Sequence, residues 1–382
     1  MPRFVYLDHH ATTPCDPRVV EAMLPWFTER PGNAASRQHR RGQQACAAVE
    51  TAREHVAALI GGSPKEVVFT SGATEALNLA IKGAAGAGPP GRRRLWASAI
   101  EHPAVLDPAR SLAREGFELE LMPVGEAGRV EPEWLRGRLG EDALLVALMA
   151  ANNEIGTLQP LGPVAAMARE AGALFLVDAV QAVGKVPFDV GASGADLVAL
   201  SAHKIAGPKG VGCLWVRRGQ PRVRLRPLID GGGQERGLRS GTLDVSGIVG
   251  FGEAARLARL EGSDDARRMA RLRDRLLAGL MAALDGVTVN GSLEDRLPNN
   301  LNVAFCGVEA SRLLEGLDDV DLSSGSACST ASLEPSHVLR ALGRTDDVIL
   351  SSVRFGLGRG TTESDIDFAL ERVIAGVRAL RG

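Results

Sequence analysis

Aromatic side chains and net charge are both scarce in this sequence. Phe, Trp and Tyr together make up 4% of the 382 residues, and 44 Lys and Arg stand against 46 Asp and Glu, for a formal net charge of −2. A dedicated nucleic-acid-binding protein needs a basic surface and aromatic rings on which bases can stack. We therefore expect no direct contact with nucleic acid.

Paired cysteines are also missing, because no two cysteines form a C-x-x-C motif. An odd and scattered set excludes a disulfide framework and the usual spacing of a zinc site, and it indicates a reducing compartment. Apolar neighbours predict that Cys46, Cys213 and Cys306 are buried and act as small hydrophobic side chains. The five cysteines are Cys15, Cys46, Cys213, Cys306 and Cys328.

Long apolar runs do not occur in this sequence. The longest clear run, 143–151, is far shorter than the roughly 20 residues that a membrane-spanning helix needs. The first residues also lack the apolar segment of a signal peptide. We expect a soluble cytoplasmic protein with no membrane segment.

Short apolar strands alternate with helices over the first two thirds of the chain. Continuous apolar strands joined by helices are typical of a mainly parallel sheet that is covered on both faces, which is an α/β fold. Ligands bind such sheets at the carboxyl ends of the strands. The strands are predicted at 66–70, 95–98, 143–149, 174–178, 197–200 and 211–217, and the helices at 43–59, 75–82, 104–115 and 161–171.

The pattern changes after about Phe251, where a smaller α+β domain is predicted. Residues 257–284 carry apolar side chains at helical spacing among many charged ones, which indicates an amphipathic helix. Shorter strands and helices then alternate to the end of the sequence. The strands are predicted at 287–290, 301–305 and 353–355, and the helices at 309–317 and 364–380.

Small and polar residues follow the first predicted strand, in the stretch 70–75. Small residues before a helix let its free backbone N–H groups approach an anion, which suits a phosphate group. Alternatively, Ser71 or Thr74 caps the helix with its hydroxyl group. The two interpretations are compatible, and neither the P-loop nor the dinucleotide-binding motif is present.

Two ionisable residues follow later strands. Asp178 ends an apolar strand, where it either caps the next turn or finds a cationic partner such as a protonated ring nitrogen. Lys204 follows another apolar strand, and burial there lowers the pKa of an amine and frees it to form a Schiff base. Lys185 and Lys209 remain rival candidates, and an exposed lysine of no catalytic role is the alternative.

Cys328 differs from the other cysteines because it lies in a run of small polar residues, 323–335. Such a run predicts an exposed loop, in which a nucleophilic thiol is credible. Arg354 is a candidate for binding a carboxylate with two hydrogen bonds. A surface ion pair is the alternative for Arg354.

Taken together, these motifs resemble the pyridoxal-phosphate-dependent cysteine desulfurases of the IscS/NifS type, within the class-V aminotransferases. Their order and number extend the resemblance over nearly the whole chain. The matching stretches are 6–14, 32–36, 69–75, 101–102, 152–156, 178–181, 201–210, 231–237, 239–242, the Cys328 loop and 354–358.

The resemblance implies a fold-type I pyridoxal-phosphate enzyme that forms a homodimer. Its large domain, 15–250, would contain a mainly parallel seven-stranded sheet and bind the cofactor. Its small α+β domain, 1–14 and 251–382, would carry the catalytic loop with Cys328.

The resemblance also implies a role for each matching residue. Lys204 would bond covalently to the cofactor, His102 would stack on its ring, Asp178 would pair with the ring N–H, and Gln181 would bond the phenolic oxygen. The residues implied to hold the phosphate are Ala73, Thr74, Ser201 and His203, with Thr242 from the partner subunit. Those implied to bind the substrate carboxylate are Asn33, Asn153 and Arg354.

The implied reaction converts L-cysteine to L-alanine and leaves the sulfur as a persulfide on Cys328. The sulfur would supply iron–sulfur cluster assembly and other acceptors, and Cys328 would also be a transient ligand of a cluster shared with a scaffold protein. Within the same fold, a selenocysteine lyase, a kynureninase or an aminotransferase would share the cofactor residues. A non-catalytic scaffold or sulfur carrier is the alternative from another class.

Overall fold

The computed structural model of the chain describes residues 3–324 and 335–382. Its helices are α1 (Pro17–Met23), α2 (Arg40–Leu59), α3 (Ala73–Ala87), α4 (Pro103–Ala113), α5 (Leu161–Glu170), α6 (Val190–Ser193), α7 (Val245–Ala283), α8 (Ala310–Glu315), α9 (His337–Ala341), α10 (Asp346–Leu350) and α11 (Glu363–Arg381). Its strands are β1 (Val5–Tyr6), β2 (Val67–Thr70), β3 (Arg94–Ser98), β4 (Glu118–Met122), β5 (Ala143–Ala147), β6 (Leu174–Asp178), β7 (Leu197–Ser201), β8 (Gly212–Val216), β9 (Val287–Val289), β10 (Asn300–Phe305), β11 (Val320–Asp321), β12 (Ser323–Ser324) and β13 (Ser352–Gly356).

Within the described residues, seven strands form the large sheet, in the order β2-β8-β7-β6-β5-β3-β4. The pairs from β7 to β4 are all parallel, whereas β8 is antiparallel to both of its neighbours. The predicted α/β fold with a mainly parallel sheet is therefore confirmed. Strand β4 at the edge was not predicted, because most of its side chains are exposed and two of them are glutamates.

Both faces of the large sheet are covered by helices. The side chains of β2 show the two faces, because Val67 and Phe69 pack into one buried cluster and Val68 packs into the other. The first cluster includes α2 and the beginning of α7, and the second includes α3 and α4. Strands that are buried on both faces explain the continuous apolar runs in the sequence.

A small antiparallel sheet, β12-β13-β10-β9, lies in the C-terminal part of the chain. It packs against α11 and the end of α7 in a separate buried cluster. The N-terminal segment joins this cluster through Val5 and Leu7, and β1 pairs in parallel with β11.

Helix α7 runs through both of these cores. Residues 248–258 pack with the large sheet, whereas Met269, Leu272, Leu276 and Leu280 pack with the small one. The sequence predicted only its later part, 257–284, because glycines interrupt the pattern before it. One of them, Gly252, allows close packing of helices, since a Cβ there would lie 2.5 Å from the Cα of Ala52 in α2. The division of the domains at 250 and 251 stays a prediction.

The four described cysteines are only partly as predicted. Cys213 is buried in β8, Cys15 and Cys46 are half-buried, and Cys306 is exposed. The prediction that Cys306 is buried is wrong, because this residue follows the last residue of β10 and lies in the turn after it. Within the part of the chain that the structure describes, no helix combines the length and the apolar character needed to cross a membrane.

Candidate active site

The carboxyl ends of several strands of the large sheet meet at one edge, and polar residues follow them. Ser201 is the last residue of β7, Asp178 is the last of β6, and His102 follows β3 just before α4. Strand β2 has the same direction as β7, because both are antiparallel to β8. In the register of these strands, Thr70 and Ser201 lie on either side of Gly212. The structure thus brings the ends of β2, β3, β6 and β7 to the same edge of the sheet as the beginning of α3.

The loop between β2 and α3 has the properties of an anion site. Helix α3 begins at Ala73 after Gly72, and in the described part of the chain no side chain caps its first turn. Ser71 and Thr74, the two candidate caps, therefore leave its N–H groups available. Gly212 brings this loop close to the neighbouring strand, since a Cβ there would lie 2.8 Å from the Cα of Gly72. This arrangement fits a phosphate group.

Asp178 supplies a buried carboxyl group at the same edge. Its Oδ1 accepts a hydrogen bond from the backbone N–H of Val180 at 3.0 Å. Burial raises the pKa of this carboxyl group, and nearby His102 and Lys204 offset that effect only in part. A buried carboxylate gains strongly from a cationic partner, so this position fits the protonated ring nitrogen of pyridoxal phosphate.

Lys204 ends a short 3₁₀ turn that follows β7 directly. Its Nζ donates hydrogen bonds to the carbonyl oxygens of His10 and Ala11, the second at 2.7 Å. The rival lysines lie in different surroundings, because Lys209 is exposed whereas Lys185 is buried. Burial lowers the pKa of Lys185 to about 7. Lys204 is therefore the half-buried amine at the strand end.

Gln181 lies three residues after the end of β6 and is buried. Its Nε2 donates to the carbonyl oxygen of His10 at 3.1 Å, and its Oε1 is 3.0 Å from Nδ1 of the same histidine. Nζ of Lys185 donates to the backbone oxygen of Gln181 at 3.0 Å. Sequence reasoning assigned no role to His10, because the fold alone brings residues 10 and 181 together.

The two histidines of the predicted site, His102 and His203, make different contacts. Nδ1 of His102 accepts a hydrogen bond from the N–H of Ala104 and thereby caps α4. Nδ1 of His203 lies 3.1 Å from Oγ1 of Thr12. Burial, together with the charge of Lys204, lowers the pKa of His203 to about 4. His203 therefore offers a neutral ring.

Two of the three predicted carboxylate-binding residues are adjacent. Arg354 in β13 is fully buried, and it donates to the carbonyl oxygen of Asn153 at 3.1 Å and to Oδ1 of Asp8 at 2.8 Å. Asn33 lies apart from them on the surface, where its Oδ1 accepts from the N–H of Ala35 at 2.9 Å. The structure thus joins Arg354 to Asn153 and does not join Asn33 to either.

Thr242 is exposed at the end of the segment 231–242. A buried ion pair holds this segment to the large sheet, because Glu235 contacts Arg53 at 2.7 and 2.8 Å and accepts from the N–H of Phe69 at 2.7 Å. The anchor leaves Thr242 accessible to a second chain.

Cys328 lies outside the described residues, and so does the loop 325–334 around it. Within the described residues, no cluster of His, Cys, Asp and Glu is arranged to hold a metal ion. The roles predicted for Cys328, as a nucleophile and as a transient cluster ligand, stay predictions.

Comparison with known proteins places these features in a family. The family model for class-V aminotransferases matches residues 5–368. The cysteine desulfurase IscS of Anaeromyxobacter sp. (strain Fw109-5) is 56% identical over 99% of this chain and 93% of its own length, and that of Anaeromyxobacter dehalogenans (strain 2CP-C) is 55% identical over the same shares. A known structure of a NifS-like protein superposes with a TM-score of 0.91 at 40% identity, over 97% of this chain and 98% of its own. The chain therefore belongs to the class-V aminotransferase family, as a pyridoxal-phosphate-dependent cysteine desulfurase of the IscS/NifS type.

Proposed function

We propose that this chain converts L-cysteine to L-alanine and carries the sulfur away as a persulfide on Cys328. In this reaction the C–S bond of the substrate breaks, an S–S bond forms on Cys328, and a proton takes the place of sulfur on the substrate β-carbon. Atoms and electrons balance without an outside oxidant or reductant. The persulfide then supplies sulfur to iron–sulfur cluster assembly and to other acceptors.

The observation that carries this proposal is the placement of an amine and a buried carboxylate at neighbouring strand ends, Lys204 after β7 and Asp178 at the end of β6. When bound, pyridoxal phosphate supplies an aldehyde that bonds to amines and a ring that withdraws electrons from the bonded amino acid. The residues that we propose to hold it are Ala73, Thr74, His102, Asp178, Gln181, Ser201, His203 and Lys204, with Thr242 from the partner subunit.

Lys204 is proposed to move the proton at the substrate α-carbon. Its Nζ is held at the strand end by carbonyl oxygens of His10 and Ala11, which only accept hydrogen bonds. His102, which follows β3 at the same edge of the sheet, would cover one face of the cofactor ring and exclude water there.

Arg354 and Asn153 are proposed to orient the substrate carboxylate. A guanidinium group binds a carboxylate with two parallel hydrogen bonds, which fixes the direction of the α-carbon. Asp8 holds the guanidinium in place at 2.8 Å. We keep Asn33 as a further proposed contact, although its amide lies on the surface of the chain.

The sulfur acceptor of the substrate is proposed to be the Cys328 thiolate. No other cysteine in the sequence lies in a run of small polar residues like 323–335. The proposal extends to transient cluster ligation by Cys328 when a scaffold protein is bound.

A cytoplasmic homodimer is the proposed assembly. The exposed side chain of Thr242, on a segment anchored by a buried ion pair, supports a contribution to the phosphate site of a partner subunit. A second copy of the chain would therefore complete each active site.

Replacement of Cys328 tests the function most directly. Cys328→Ser should retain the visible absorbance of the bound cofactor and lose alanine production from cysteine by at least about a hundredfold, because the sulfur has no acceptor. Cys306→Ser is the matched control, since Cys306 is an exposed thiol in the turn after β10 that we assign no role in the site, and it should keep full activity. Undiminished alanine production by Cys328→Ser would refute the proposed function.

A further inference from the structure

Gln181 is the centre of a buried hydrogen-bond network that also contains His10 and Lys185. Oε1 of Gln181 lies 3.0 Å from Nδ1 of His10 and accepts from Nζ of Lys185 at 3.3 Å. Nε2 of Gln181 donates to the carbonyl oxygen of His10 at 3.1 Å. All three side chains are buried. The amide of Gln181 is thus held from both ends.

The orientation of this amide is determined by its partners. The carbonyl oxygen of His10 can only accept a hydrogen bond, so it requires the NH₂ end of Gln181. Nζ of Lys185 donates to the backbone oxygen of Gln181 and is placed to donate to Oε1 as well. Rotation of the amide by half a turn would place oxygen against oxygen. One N–H of Gln181 is bonded to His10, and among residues 3–324 and 335–382 the second is left for another acceptor.

The same geometry assigns the proton of the His10 ring. Because Oε1 of Gln181 faces Nδ1, that nitrogen carries the proton and donates it, and Nε2 is the unprotonated nitrogen. Within the described residues, Nε2 has no hydrogen-bond partner. A second proton on Nε2 would therefore have no acceptor, which keeps the ring neutral.

The charges around His10 also favour the neutral form of its ring. The ionisable groups that face it are Arg354 from β13, Lys185 and Lys204, all of them basic. Burial first, and then these positive charges, lower the pKa of His10 well below its ordinary value. The ring is also fixed by packing, since a Cβ on Gly356 would lie 2.8 Å from Cδ2 of His10.

We propose that His10 and Lys185 are positioning residues that fix Gln181, so that its second N–H donates to the phenolic oxygen of the bound cofactor. This inference rests on the proposed function, in which Gln181 contacts that oxygen. Neither His10 nor Lys185 needs to touch the cofactor or the substrate. Their effect on it passes through the direction of one amide group.

Such a donor has a spectroscopic consequence that a purely structural role lacks. The phenolic oxygen of the bound cofactor lies beside the nitrogen through which Lys204 is bonded to it. A hydrogen bond to this oxygen stabilises its negative charge most when that nitrogen has lost its proton. The donor therefore lowers the pH midpoint of the change in cofactor absorbance. Loss of the donor should raise that midpoint by about one to two pH units, as expected for a hydrogen bond to a charged group.

The test is a pH titration of the visible absorbance of holoenzyme variants at matched cofactor content. Gln181→Met should raise the midpoint, and His10→Leu and Lys185→Met should raise it in the same direction. His10→Asn keeps an N–H donor near the position of Nδ1 and should restore most of the wild-type midpoint. Lys65→Met removes an exposed lysine and should leave the midpoint unchanged.

A double variant separates positioning from a general loss of structure. In the Gln181→Met background, His10→Leu should give no further rise, because the group through which it acts is gone. If Gln181→Met itself leaves the midpoint unchanged, the contact between Gln181 and the cofactor is wrong and this inference falls with it. If Gln181→Met raises the midpoint but His10→Leu and Lys185→Met do not, the contact stands and the positioning role is overturned. Should His10→Leu not fold, His10→Asn and Lys185→Met decide the question in the same assay.

Discussion

Replacing Arg53 with Met is expected to lower the free energy of unfolding by about 3–5 kcal/mol, because it leaves a buried carboxylate without its cation. The side chains of Arg53 and Glu235 are 4% and 2% exposed. Two guanidinium nitrogens contact the two carboxylate oxygens at 2.7 and 2.8 Å, and one of them also donates to the carbonyl oxygen of Val67 at 2.9 Å. After the change, Glu235 keeps the hydrogen bond from the N–H of Phe69 at 2.7 Å. One backbone donor does not offset the burial of a full negative charge.

A second substitution shows whether the cost comes from that charge. Glu235→Gln removes the negative charge and keeps an oxygen that accepts from Phe69. The double variant Arg53→Met/Glu235→Gln should therefore be more stable than the sum of the single losses, by about 1–3 kcal/mol, as for other residues in direct contact.

The measurement is urea unfolding, followed by far-ultraviolet circular dichroism at one protein concentration and one cofactor concentration. Arg275→Met is the matched control, because the side chains of Arg275 and Asp367, which form an ion pair, are about half exposed. It should lower the free energy of unfolding by less than about 1 kcal/mol. The reasoning is refuted if Arg53→Met costs no more than the control, or if the effects of the double variant are additive.

Three further predictions concern the cofactor and the pH dependence of stability. Lys204→Ala should leave no borohydride-stable adduct between chain and cofactor by mass spectrometry, and an adduct that persists would assign the covalent bond to another lysine. Gly212→Ala places a methyl group 2.8 Å from the backbone before α3 and should raise the Kd for pyridoxal phosphate at least about tenfold by fluorescence titration. Gly162→Ala places its methyl group in open space and should leave the Kd unchanged. Equal affinities of the two variants would contradict a phosphate site in the loop between β2 and α3. Burial lowers the pKa of His9 from 6.5 to about 4, so between these values the unfolded chain binds a proton that the folded chain does not, and stability falls as the pH drops. His9→Asn should show a smaller fall in the urea midpoint between pH 6.5 and 4.5, and an unchanged fall would contradict that assignment.

Much of the site edge could be predicted from the sequence because its residues follow strands that are buried on both faces. The runs before Asp178 and Lys204 are apolar without alternation, which is the pattern of a covered parallel sheet. A polar residue directly after such a run lies at the strand end, where ligands bind. Local order along the chain was therefore sufficient for these positions.

Contacts between distant parts of the chain could not be predicted in this way. His10 and Gln181 are 171 residues apart, and no periodic pattern links them. The sequence offers Lys185 only as a rival Schiff-base lysine, whereas the fold makes it a hydrogen-bond donor to Gln181. The prediction for Cys306 is wrong because apolar neighbours do not show whether a residue lies within a strand or in the turn after it.

Helix α7 also links the two cores mechanically. A continuous helix of 39 residues is about 58 Å long at 1.5 Å per residue. In a helix of this length, a bend of about 5° near the middle displaces one end by roughly 2.5 Å. Gly262 lies near that middle, against the backbone of Gly184, and together with Ser263 it forms a Gly–Ser pair, one of the places at which helices kink. The two cores are also joined directly, by the hydrogen bonds of Lys204 to His10 and of Arg354 to Asn153, so a bend in α7 would strain both of these contacts.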